Sequence, residues 1–147
     1  MKASADVPTS RRSLRELWSK VRHIDIAMLT TVDKGGTLHC RPMSTQAVER
    51  EEFLWFFAGK DSGKVKAIRA NPAVGLAYAD PAKHIYVMAS GNARVTDNDQ
   101  KARELWGKAA QAWFPGGPED SSLVLICVDV DQAQYWDGAE SGSFTLT

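Results

Sequence analysis

The chain has 147 residues, 44% of them hydrophobic and 24% charged, enough for one domain with a substantial core. Eighteen basic residues balance eighteen acidic ones, so no net charge draws the protein towards nucleic acid or an anionic membrane. The sequence shows neither an apolar run of transmembrane length nor a signal-peptide core, and a cytoplasmic protein is the expectation.

Residues 1–12 are small and polar at first and read as a flexible segment ahead of a single domain over 13–147. Ser13 with Glu16 three residues on forms a capping box, and Leu14, Leu17, Trp18 and Val21 follow at helical spacing. A first amphipathic helix over Ser13 to Arg22 is expected to lie against one end of the fold. Ile24 to Val32 reads as a strand, and Asp33-Lys34-Gly35-Gly36 as a hairpin turn into a long return strand, Thr37 to Val48. Pro42 has no N–H to donate, so its part of that strand must be an edge, a bulge or a break in pairing. Glu49 to Glu52 is a charged turn.

Phe53 to Ala58 is the third strand, and its unbroken apolar run implies cover on both faces, by protein or by a ligand. Ser62 is placed to cap a short helix carrying Val65, Ala67 and Ile68, which Asn71-Pro72 stops. Val74, Leu76 and Tyr78 alternate in a fourth strand closed by Asp80-Pro81. Ile85 to Val95 is the fifth, with Gly91 marking a bulge or bend. Asp97 and Gln100 are read as capping a helix in which Ala102, Leu105, Trp106, Ala109 and Trp113 share a stripe, ended by Pro115-Gly116-Gly117-Pro118. Leu123 to Val130 is the sixth strand, and Gln134-Tyr135-Trp136 runs on towards the C-terminus. Short turns between successive strands predict a mainly β fold: an antiparallel sheet closing on itself, with flanking helices.

The chemistry concentrates at Ser62-Gly63-Lys64. A helix start offers unpaired N–H groups and partial positive charge, Gly59 and Gly63 permit close backbone approach, and Ser62 and Lys64 add a hydroxyl and a cation. Arg41, on the neighbouring strand, can grip a phosphate with two N–H groups. An ordinary capped helix with solvated charges would carry the same residues. This is not a Walker loop, which needs a longer glycine run. Trp18 and Trp106 occupy helical core positions, whereas Trp113 and Trp136 stand at element ends, where aromatics cover a ring or a partner. Cys40 and Cys127 read as reduced packing residues. His23, His39 and His84 lack metal-ligand spacing, so no metal site is expected, and no hydrolase motif occurs.

Arg41-Pro42-Met43-Ser44, then Trp55-Phe56-Phe57-Ala58, then Ser62-x-Lys64, resemble the FMN-binding split barrel of the pyridoxamine 5′-phosphate oxidase-like superfamily, nearest its general stress protein branch. The likeness continues through Asn71-Pro72-Ala73-Val74, Tyr86-Val87-Met88-Ala89-Ser90-Gly91, Trp113-Phe114-Pro115-x-Gly117 and Tyr135-Trp136. It implies a six-stranded antiparallel split barrel that forms a homodimer, with FMN in two clefts at the subunit interface. By position, Arg41 and Lys64 would bind the FMN phosphate, with Ser62 donating a hydroxyl. Met43 and Ser44 would run beside the isoalloxazine ring and offer backbone groups to its polar edge. Phe57 and Ala58 would line the ribityl and phosphate end, and Tyr86, Trp113 and Trp136 would contact the flavin from the other subunit.

Two departures bear on activity. Ala58 stands where the family often has threonine, which removes one hydroxyl from the phosphate site. The Arg-x-His that the true oxidase carries after the tryptophan matching Trp136 is replaced by Asp137-Gly138-Ala139-Glu140, leaving pyridoxamine phosphate without an evident anchor. The resemblance therefore implies a flavin-dependent oxidoreductase with an unknown small-molecule redox partner rather than a vitamin B6 oxidase. Its rivals are a module that holds flavin without turnover and a haem- or deazaflavin-binding split barrel.

Overall fold

The computed structural model describes residues 14–46 and 53–145. The N-terminal segment, the cap expected at Ser13 and the charged turn Glu49 to Glu52 lie outside the described residues. In chain order the elements are α1 (Leu14–Val21), β1 (Ile26–Val32), β2 (Leu38–Ser44), β3 (Leu54–Gly59), α2 (Gly63–Ala70), β4 (Ala73–Asp80), β5 (Ile85–Thr96), α3 (Asp99–Leu105), α4 (Lys108–Trp113), β6 (Leu123–Asp137) and β7 (Glu140–Thr145). Two single 3₁₀ turns, Pro81–Lys83 and Gly117–Glu119, join neighbours.

Six strands form one antiparallel sheet in the order β2-β1-β4-β5-β6-β3, the split barrel expected from the short connections. A seventh, β7, pairs with the second half of β6 outside that path, a strand not foreseen in the polar run Glu140 to Thr145. Among the described residues the two end strands, β2 and β3, are joined at an isolated bridge between Gln46, just past β2, and Trp55 of β3, where the Gln46 N–H donates to the Trp55 carbonyl at 2.9 Å. Elsewhere they part, and the parting is the split.

Alternation sets the two surfaces. Ala27, Leu29, Leu54, Phe56, Ala58, Leu76, Tyr78, Val87, Ala89, Val124, Ile126 and Val128 point inward, and Leu17, Trp18 and Val21 of α1 and Val65 and Ile68 of α2 join them in one core. Trp55, Leu123, Leu125 and Cys127 point the other way and are buried in a second, outer core with Ala102 and Leu105 of α3. Phe53, Phe57, Trp106 and Phe114 pack around it. β3 is thus covered on both faces, as its apolar run implies, and protein supplies the cover on the outside.

Several local expectations are met and others corrected. Pro42 lies on an edge strand, paired with Met28 of β1 on one side. The register shifts between Ser90 and Gly91, where an added Cβ would come within 2.0 Å of the Asp129 carbonyl oxygen. Only glycine fits that bulge. The expected single helix from Asp97 to Trp113 is two, because the chain turns extended at Trp106 and Gly107. Its cap is Asn98, whose side chain accepts from the Lys101 N–H at 3.0 Å, rather than Asp97. Gln134 to Trp136 continues β6 without a break. Cys127 is a buried packing residue, but Cys40 is exposed, since it shares the outward face of β2 with Leu38 and Pro42. Neither forms a disulfide.

Candidate functional site

The split between β2 and β3 opens into a cleft of about 500 Å³. One wall comes from Ile26, Pro42, Met43, Ser44 and Gln46, the facing wall from Phe57, Ala58 and Gly59. Ala110, Trp113 and Phe114 of the α4 region lie over it, and Lys64 stands at one end. The cleft is mostly apolar, with a cation at its end.

Its edge carries usable backbone. The Thr45 N–H donates to the Asp25 carbonyl at 3.4 Å on the β1 side, and the Gln46 N–H donates to Trp55 on the β3 side. Alternate residues of an antiparallel strand face opposite neighbours, so Pro42 and Ser44 turn their backbone groups away from β1 and towards the split. The absence of an N–H at Pro42 therefore costs the ladder nothing. The Ser44 carbonyl accepts from the Gln46 side-chain amide at 3.2 Å. Met43 uses its backbone towards β1, and its buried side chain forms part of the cleft floor.

The cationic end is built from two elements. Arg41 points inward from β2, and its Nη1 donates to Thr31 Oγ1 at 2.8 Å, to the His39 carbonyl at 3.0 Å and to the Leu29 carbonyl at 3.2 Å. Lys64 rises from the first turn of α2, half-buried. Burial, and then the positive charge of Arg41, hold the Lys64 ammonium below the usual lysine range. Burial likewise lowers Arg41. Among the described residues no carboxylate forms an ion pair with either. Two like charges held together without a counter-ion make a place for an anion.

Ser62 occupies the N-cap of α2, yet its hydroxyl donates to the Gly59 carbonyl at 2.8 Å and makes no cap bond. The first-turn N–H groups are thereby left without a side-chain cap, and no acidic residue stands in that turn. Phe57 packs edge-on against Trp106, ring centroids 5.3 Å apart, which steadies the cleft wall.

Of the ten residues singled out in the sequence, the cleft gathers Met43, Ser44, Phe57, Ala58, Lys64 and Trp113, with Arg41 and Ser62 beside its cationic end. Trp113 lines the cleft within the same chain and is 81% exposed. Tyr86 and Trp136 are cross-strand partners on the outer face of the sheet, outside the cleft. The sequence reading missed Ile26, Gln46, Ala110 and Phe114. Gln46 and Ala110 carry no local signal, whereas Ile26 and Phe114 stood within apolar runs already marked.

The family model of pyridoxamine 5′-phosphate oxidase-like proteins matches residues 12–147. The chain belongs to that family. A search of curated proteins found no match. Among solved structures, the general stress FMN/FAD binding protein of Xanthomonas citri superposes with a TM-score of 0.72 at 26% identity, over 86% of this chain and 89% of that one. General stress protein 26 of Bacillus anthracis gives 0.74 at 22% identity, over 87% and 96%. A pyridoxamine 5′-phosphate oxidase-related, FMN binding protein of Nostoc punctiforme gives 0.66 at 16%, over 91% and 95%. The likeness read from the Arg41 to Lys64 stretch is borne out at the level of the superfamily, and general stress proteins are among the structures this family member resembles.

A second hollow of about 520 Å³ is lined largely by Lys60, Asp61, Arg69, Thr96 and Asp97, so its cations stand among carboxylates and it lacks the mostly apolar walls of the β2–β3 cleft. Among the described residues no three His, Cys, Asp or Glu side chains gather as a metal-binding group, and no helix is long and apolar enough to cross a membrane. His39 bonds Asp33 at 2.9 Å in the first hairpin, and neither His23 nor His84 lines the cleft.

Proposed function

We propose that this protein binds FMN in the β2–β3 cleft and works as a homodimeric flavoprotein. The observation that carries the reading is the pair Arg41 and Lys64, two half-buried cations with no carboxylate partner among the described residues, Lys64 lining a mostly apolar cleft and Arg41 next to Pro42 of its wall. The phosphate would sit against this pair and the uncapped first turn of α2, with Ser62 beside it. Ser44 would offer its backbone to the polar edge of the ring, Met43, Phe57 and Ala58 would line the cofactor, and Trp113 would cover it. The flavin from the relatives' names fits this donor set: cations at one end, apolar walls and edge-strand backbone along the side. When bound, FMN supplies one- and two-electron redox chemistry.

The dimer reading rests on the outer sheet face. Pro42, Met28, Ala77 and Met88 follow one another across four strands, and Ala79, Tyr86 and Trp136 across three. Met28, Met88, Tyr86 and Trp136 are each at least 40% exposed, and Ile26 joins them at the cleft mouth at 48%. An apolar patch of this breadth marks a contact surface. A second copy seated there would bring its Tyr86 and Trp136 towards the open side of the cleft.

The cleft contains no histidine, cysteine or carboxylate among its described lining residues. That favours a redox partner which needs no acid or base from the protein, and it equally suits a module that holds flavin without turnover. Oxidation of reduced nicotinamide faster than by free FMN is the outcome expected of an oxidoreductase; equal rates identify the holding module. The binding claim itself is tested by adding protein to FMN. Stoichiometric quenching of flavin fluorescence with a perturbed visible spectrum is expected, and unchanged signals would overturn it.

A further inference from the structure

Thr31 is a polar side chain in the interior of the barrel, with no exposed surface. It continues the inward series Ala27 and Leu29 on β1, where a valine would fill the same space and favour the strand equally. Its hydroxyl accepts the shortest of the three hydrogen bonds from Arg41 Nη1, 2.8 Å against 3.0 and 3.2 Å to the two carbonyls. The three acceptors converge on a single nitrogen. Nη2 and Nε of Arg41 have no hydrogen-bond partner among the described residues. The guanidinium is thus clamped by one corner, while its other N–H groups make no hydrogen bond among the described residues.

We propose that Thr31 is a positioning residue that orients Arg41 for the phosphate group of the ligand, so that a buried hydroxyl sets affinity for an anion it does not touch. The backbone carbonyls of Leu29 and His39 would hold an arginine at this place in any sequence; the side chain that fixes its orientation is Thr31. Ordering the guanidinium before binding removes a cost that the bound state would otherwise bear. The proposal rests on the FMN reading given above.

The test compares Thr31→Val, which keeps the shape and removes the hydroxyl, with Thr31→Ser, which restores it. FMN and riboflavin are titrated against each full-length variant; the two ligands differ by the phosphate alone. Thr31→Val is expected to weaken FMN about tenfold, the scale of a lost hydrogen bond to a charged group, with riboflavin unchanged, and Thr31→Ser to recover the wild-type ratio. A packing defect would weaken both ligands together and overturn the proposal. So would a wild-type FMN preference that Thr31→Val retains. Wild-type protein that does not prefer FMN overturns the phosphate reading first and this proposal with it. A second readout needs no flavin: the Arg41 Nη resonances of the ligand-free protein should be slowed and resolved in wild type and averaged in Thr31→Val. Identical Arg41 resonances in both would overturn the clamp. Thr31→Ala serves the same comparisons if the valine variant does not fold.

Discussion

The outer surface of the sheet is divided into two halves that solve one problem differently. Over β3 and the first half of β6, Trp55, Leu125 and Cys127 are hidden beneath Ala102 and Leu105 of α3, so the chain covers itself. Over β1, β4, β5 and the second half of β6, residues of similar character stand bare: Ile26, Met28, Tyr86, Met88 and Trp136. Strand patterning is the same in both, with alternate residues facing outward. What differs is whether the connection that follows is long enough to return a helix over them. The cleft lies on the boundary, with the α4 region on the covered side and Ile26, Pro42 and Ser44 on the bare side. A ligand there is walled by the chain on one flank and, in the dimer proposed above, by a second copy on the other.

The covered half should behave as core. Leu125→Ala removes a side chain with 1% exposure and is expected to lower unfolding free energy by about 2 to 5 kcal/mol, checked by denaturant melts. The loss should not depend on protein concentration. The bare half should behave as interface. Met88→Lys adds a charge at a site 40% exposed in the single chain, so the fold should persist. Sedimentation should show the dimer weakened about a hundredfold, since like charges would face each other across a two-fold contact. If Met88→Lys instead unfolds the chain at every concentration, the contrast between the halves collapses.

A smaller effect concerns the cationic end of the cleft. Lys64 is held below the usual lysine range by burial and by Arg41, and a bound phosphate would draw it back up. Its charge is complete below the lowered pKa and is lost as pH rises through it. FMN affinity should therefore fall towards alkaline pH, with proton uptake on binding that calorimetry in buffers of different ionisation heat would register. Riboflavin should show no such slope. A flat profile for both would remove Lys64 from the phosphate site.

Much of the fold was legible in the sequence because its strands alternate cleanly. Pro42 marked an edge, a bulge or a break, which is an edge; Gly91 a bulge or bend, which is a bulge; and the run Phe53 to Ala58 a strand with cover on both faces, which is Leu54–Gly59. Glu140 to Thr145 was not legible, since its side chains, small or polar apart from Phe144, give no period and the hairpin at Gly138 pairs it with β6. The break at Trp106 and Gly107 was hidden by an apolar stripe that runs on across it. Cys40 shows a deeper limit: alternation puts it on one face with Leu38 and Pro42 but does not reveal which face is core. At the site, Arg41 and Lys64 were legible as cations near a helix start. The bond from Arg41 to Thr31 was not, because it depends on the register of β1 against β2 across ten residues.

Parallel titration of wild-type protein and Lys64→Ala with FMN and with riboflavin bears most directly on a phosphate held by two cations beside an apolar cleft. Wild type should bind FMN at least about tenfold more tightly than riboflavin, and Lys64→Ala should bring FMN close to riboflavin while leaving riboflavin where it was. Equal wild-type affinities for the two, or a preference for FMN that survives the loss of Lys64 unchanged, would contradict it.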